Sequence, residues 1–83
     1  MELLEFYADW CGPCQMMMPV VDEFEKAHPE IKVTRKNVDE DEALAEEYGV
    51  YTIPCFIFLK DGKEIKREEG MISMKKLEKV IGA

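Results

Sequence analysis

The sequence is short of positive charge, cysteine, histidine and long apolar runs, and each shortage closes off a class of protein. Its 83 residues carry 11 Lys+Arg against 18 Asp+Glu, a formal net charge of −7. A chain of that sign is repelled by the phosphate backbone, so no nucleic-acid partner is expected. No stretch approaches the roughly 20 apolar residues of a membrane span, so no membrane association is expected. Three cysteines are too few, and odd in number, for a disulfide scaffold. The opening residues show no basic segment followed by an apolar core, so no secretory signal is read. The expected setting is a reducing one, the cytoplasm, where a close Cys pair is catalytic or metal-binding rather than structural.

What is present fits a globular domain, with 47% hydrophobic and 35% charged residues. The length allows one domain over residues 1–83, and such a chain buries roughly 60–65% of its unfolded surface. Leu3 to Tyr7 is an apolar and aromatic run around one acid and reads as a buried strand. From Cys11 to Ala27, Met17, Val20, Val21 and Phe24 recur at helical spacing. Pro19 predicts a kink in that helix, and His28-Pro29 ends it. Ile31 to Arg35 alternates as a second strand. Asp39 to Glu47 reads as a short helix with acids in its first turn and Gly49 at its stop. Cys55 to Leu59 is a third, strongly apolar strand. Asp61-Gly62 signals a hairpin, with Glu64 to Glu68 returning as the fourth strand. Ser73 caps a last helix that turns Leu77, Val80 and Ile81 inward. The order β-α-β-α-β-β-α predicts an α/β fold: a mixed four-stranded sheet with helices on both faces. Its first two strands are parallel through a right-handed crossover.

The chemistry concentrates at Trp10-Cys11-Gly12-Pro13-Cys14, between a strand and a helix. Thiols at i and i+3 lie on one side of a helix, close enough to form a disulfide. Cys11 falls at the helix N-terminus, where unpaired N–H groups and the dipole favour a thiolate. Only a thiolate attacks a disulfide. Cys14, one turn in, is suited to resolve the mixed disulfide. Pro13 sits in the first turn, where its missing N–H costs nothing, and Gly12 leaves the rim open to a partner chain. The competing reading is half a zinc site, but zinc takes four ligands and only Cys55 and His28 remain, unpaired in spacing. Haem attachment would need His where Gln15 stands. No metal site is therefore expected.

Phe6-Tyr7-Ala8-Asp9-Trp10-Cys11-Gly12-Pro13-Cys14, with Met16 and Pro19, resembles the active-site segment of the thioredoxin family. Asn37-Val38-Asp39, Tyr48-Gly49-Val50, Ile53-Pro54, Phe58 to Gly62 and Gly70 extend the resemblance over nearly the whole chain. It implies a thioredoxin-like fold and dithiol–disulfide exchange: a protein-disulfide reductase using Cys11 and Cys14, with that redox-active disulfide in place of any external cofactor. It also implies roles in electron transport and cell redox homeostasis. The implied partners are disulfide-containing proteins and a thioredoxin reductase or similar donor, with the protein itself a monomer. By the same resemblance, Pro54 is a cis-proline facing the Cys pair. A cis bond there would bare the backbone of Ile53 for strand-like pairing with a substrate. Trp10, Gly12, Pro13, Ile53, Pro54, Gly70 and Met71 would form the apolar docking surface.

The chain also departs from that family. Most thioredoxins carry a further strand and helix before the segment matching Leu3, so this sequence reads as a short thioredoxin without them. The strand Ile31 to Asn37 then becomes a sheet edge, which suits Lys32, Arg35 and Lys36. Glu5 stands where the family carries a buried Asp that takes the proton of the second Cys, which implies the same catalytic role here. Burial would raise the Glu5 pKa, while pairing with Arg35 on the neighbouring strand would depress it. The two effects stand opposed. Cys55 reads either as a small buried strand residue or as a third reactive thiol. His28 and the acidic run from Asp39 read as solvated, and Met16 to Met18 as part core, part rim. A glutaredoxin-like, glutathione-dependent enzyme is the alternative, favoured by Thr52-Ile53-Pro54. Glu68-Glu69 oppose it, because two carboxylates repel anionic glutathione. A non-catalytic binding module and an iron–sulfur dimer complete the set.

Overall fold

A computed structural model describes all residues 1–83. The elements run β1 (Glu2–Tyr7), α1 (Gly12–Ala27), β2 (Lys32–Asn37), α2 (Glu42–Glu47), β3 (Cys55–Lys60), β4 (Lys63–Glu69) and α3 (Met74–Val80). The sheet order is β2-β1-β3-β4. β1 and β2 are parallel, and the β1–β3 and β3–β4 pairs are antiparallel. The mixed four-stranded sheet read from the sequence is thus the one observed.

Two apolar layers sandwich the sheet. On one side Leu3, Phe56 and Phe58 meet Met17, Val21 and Phe24 of α1 and Leu77 of α3. On the other, Leu4, Phe6, Cys55, Ile57 and Leu59 pack under Ala45 of α2. β3 is therefore buried on both faces, which is why Cys55 to Leu59 is an unbroken apolar run rather than an alternating one. The outer strands β2 and β4 carry the charge. Asp61 and Gly62 both take positive φ, 52° and 78°, the type I′ geometry that matches the twist of the flanking strands.

Two local readings are corrected. The second helix begins at Glu42, not Asp39. The Asn37 side chain accepts the Asp39 N–H at 2.9 Å, and the Asn37 carbonyl accepts from Glu40 and Asp41 at 3.1 and 3.0 Å. Those bonds close a turn before the helix starts. The helix ends as expected: Gly49 N–H bonds to Glu46 and Val50 N–H to Ala45, the paired pattern of a Schellman stop. His28 is not a solvated residue. Its ring packs on Phe24 with centroids 5.0 Å apart, and Nε2 lies 2.7 Å from the Glu78 carboxylate of α3. The ring thus ties the end of α1 to α3. Pro19 lies inside α1, which runs from Gly12 to Ala27. No helix is long and apolar enough to cross a membrane.

Candidate active site

β1, an inner strand, ends at Tyr7, and residues 8–11 turn the chain into α1. Cys11 is the N-cap of α1, in extended conformation, and Cys14 lies one turn in. The two are joined as a disulfide with Cα atoms 5.2 Å apart. The Cys14 amide donates to Cys11 Sγ at 3.2 Å. A donor in that position, with the positive end of α1 behind it, would favour negative charge on the Cys11 sulfur once the disulfide is reduced. Cys11 is 5% exposed and Cys14 1%, so the first sulfur is the one a partner can reach. Ala8, Tyr7, Val38 and Ile53 enclose the pair.

The Ile53–Pro54 peptide bond is cis. The Ile53 carbonyl oxygen lies 3.9 Å from Cys11 Sγ, which puts this loop directly against the attacking sulfur. Gly70 closes the loop from the other side. Its N–H donates to the Pro54 carbonyl at 2.8 Å, and its φ of 83° is one that a side chain would strain. Around the disulfide, Gly12, Pro13 and Met71 are exposed, Ile53 and Gly70 are half-buried, and Pro54 is buried.

Trp10 is 71% exposed yet held in place, because its Nε1–H donates to Asp39 at 2.8 Å. The acidic run before α2 is therefore not all solvated face: its first member orients the indole. Tyr51, 90% exposed, stands beside the same loop. Tyr51 and the Trp10–Asp39 contact are both additions to the sequence reading. An aromatic residue two positions before Ile53-Pro54 was the available signal for Tyr51; nothing local signals the Asp39 contact, 29 residues away. Asp39→Ala should free the indole and weaken binding of disulfide proteins about fivefold, read as a raised KM with changed Trp10 fluorescence.

Glu5 lies on the α1 side of β1 and is only 2% exposed. With Tyr7, Met18 and Arg35 it lines a cavity of about 40 Å³, room enough for a water molecule. Met18 is one helical turn beyond Cys14, so the carboxyl sits under the same face of α1. Burial raises the Glu5 pKa from 4.5 to about 7, against the lowering effect of Arg35. This resolves the opposition left by the sequence in favour of burial. The Glu5–Arg35 hydrogen-bonded pair does not form. Arg35 is beside Glu5 in the β1–β2 register but donates instead to Asp22 at 2.7 Å and Glu25 at 3.1 Å.

Cys55 is fully buried in the α2-side layer and is not paired. Burial pushes its thiol up to about 11, so it has little thiolate for attack or modification. The structural reading of Cys55 holds. His28, at the far end of α1, does not join Cys11, Cys14 and Cys55 into a four-ligand set. No three His, Cys, Asp or Glu side chains converge as metal ligands.

The family model for thioredoxin matches residues 1–83. The chain is 44% identical over 69 residues to a thioredoxin of Chlamydia caviae, covering 83% of this chain and 68% of that protein. It is 38% identical over 79 residues to one from Chlamydia trachomatis, covering 95% and 78%. Among solved structures, oxidised mitochondrial thioredoxin 3 of Saccharomyces cerevisiae superposes with a TM-score of 0.90 at 37% identity, covering 98% of this chain and 76% of that one. A thioredoxin of Fasciola hepatica gives 0.91 at 38%, covering 98% and 77%.

Proposed function

The chain belongs to the thioredoxin family, and from that premise we propose how its residues divide the work of the thiol–disulfide oxidoreductase it is. The Cys11 thiolate attacks one sulfur of a protein disulfide. A Cys11–substrate disulfide forms and the other substrate sulfur leaves as thiolate. Cys14 then gives its proton to Glu5, and its thiolate attacks the Cys11 sulfur. The Cys11–Cys14 disulfide forms and the second substrate sulfur leaves. Two electrons pass from the dithiol to the substrate, and the enzyme needs no external cofactor. Glu5 suits the proton step because a carboxyl titrating at about 7 both takes and returns a proton near neutrality.

The observation that carries this reading is the Cys14 N–H on Cys11 Sγ at the tip of α1, beside the Ile53 carbonyl. Trp10, Gly12, Pro13, Ile53, Pro54, Gly70 and Met71 form the docking surface, and an extended substrate segment pairs with the Ile53 backbone. The family implies disulfide substrates and a reductase that returns electrons. Residues 1–83 act as one domain and as a monomer in cytoplasmic electron transport. A reducing compartment suits a chain whose one disulfide is the redox pair and whose third thiol stays free. The glutaredoxin reading is not supported by the relatives, which are thioredoxins. Insulin reduction with dithiothreitol should be catalysed, and a glutathione-coupled assay should show no comparable turnover; the reverse pattern would overturn the assignment.

A further inference from the structure

Two carboxylates outside the Cys-x-x-Cys motif accept hydrogen bonds from Arg35, the cation beside Glu5. Arg35 is the cross-strand neighbour of Glu5, and both line one small cavity. A guanidinium with five donors beside a buried carboxyl would ordinarily form a forked pair with it. Here it is turned outward. Asp22 and Glu25, three residues apart on one face of α1, accept from Arg35 Nη2 at 2.7 and 3.1 Å.

We propose that Asp22, assisted by Glu25, is a positioning residue that holds the Arg35 guanidinium off Glu5, leaving that carboxyl to exchange a proton instead of being locked in an ion pair. This rests on Glu5 serving as the proton acceptor for Cys14. The charged and titratable surroundings of Glu5 are few. β2 contributes Arg35, α1 contributes Asp22 and, through Arg35, Glu25, and β1 itself contributes Tyr7. β3 and α3 bring apolar side chains to that side, Phe56 and Phe58 from the strand and Met74, Leu77 and Val80 from the helix. Asp22 therefore acts in one direction by two routes: its own charge favours the neutral carboxyl, and its bond restrains the one cation that would favour the charged form. The Arg35 pairs are largely exposed on their acid side, so removing them costs little stability and the variants should fold.

The test is carbon NMR of the Glu5 carboxyl in the oxidised full chain, its signal assigned by its loss in Glu5→Gln. The double variant Asp22→Asn/Glu25→Gln should lower the Glu5 titration midpoint by about one pH unit. The same two substitutions made on an Arg35→Gln background should lower it far less, because no guanidinium is left to swing inward. A midpoint unmoved in the double variant would overturn the proposal. So would an equal fall with Arg35 absent, which would mean Asp22 acts by its own charge alone. Stopped-flow pH profiles of the resolving step separate this from the reading beneath it. If the NMR midpoint falls and the kinetic profile does not follow, Asp22 still governs Arg35 but Glu5 is not the proton acceptor.

Discussion

Cys14→Ser should stop the reaction half-way. Cys11 keeps its place at the N-cap of α1, so the first attack on a substrate disulfide proceeds. The serine keeps the backbone N–H that faces Cys11 Sγ, so the attacking thiolate is still stabilised. What is lost is the second nucleophile. A hydroxyl does not ionise near neutrality and does not attack a disulfide, so the mixed disulfide persists. Non-reducing gels and intact mass should show a covalent adduct approaching one equivalent, released by dithiothreitol, while insulin reduction falls to the uncatalysed background. Cys11→Ser should lose the same activity without forming an adduct. An adduct with Cys11→Ser in place of Cys14→Ser would reverse the two roles.

Glu5→Gln should give the second large effect, and it has a defined sign. In the unfolded chain this carboxyl titrates at its ordinary value of 4.5, and in the folded protein at about 7. Between those values the folded state binds more protons than the unfolded one, so stability falls as pH rises from 4.5 to 7. At about 1.4 kcal/mol per pH unit, the ionised buried carboxylate costs about 3 kcal/mol at pH 8. Glutamine does not titrate, so this pH-dependent loss should disappear. Relative to the parent, the variant should be more stable at pH 8 than at pH 4 by about 3 kcal/mol. In a domain of this size each kcal/mol moves Tm by roughly 4–8 °C. Urea unfolding at pH 4, 6 and 8 reads the effect directly. The same substitution should slow the resolving step and spare the first attack, because the proposed mechanism sends only the Cys14 proton to Glu5. An equal stability difference at all three pH values would place Glu5 in water rather than in the core.

The architecture was legible where local chemistry and tertiary structure ask for the same residues. The Asp61-Gly62 turn, the Ser73 cap and the apolar run of β3 each appear in sequence as what they are in space. The Ser73 hydroxyl accepts from Lys76 N–H at 3.1 Å, as a capping residue should. The site was legible for the same reason: the Cys pair needs only a strand end, a helix start and three residues of spacing. Side-chain partners between distant segments were illegible. Asp39 finds Trp10, His28 finds Glu78 and Arg35 finds Asp22 across 29, 50 and 13 residues. A charged side chain's own neighbours in sequence do not reveal which of several carboxylates it reaches. The start of α2 was misread more locally: the acidic run begins in a turn closed on Asn37, which accepts from Asp39, Glu40 and Asp41 before the helix opens at Glu42.

The central claim is that the reduced protein holds Cys11 as a thiolate at the end of α1. Its most direct test is the rate of iodoacetamide alkylation of Cys11 as a function of pH, in the folded protein and in the same chain unfolded in urea. The folded protein should react roughly fivefold faster at pH 6, after allowing for the weaker nucleophilicity of a more acidic thiol, with its rise centred at lower pH. Identical rates and identical pH dependence in the two states would contradict it.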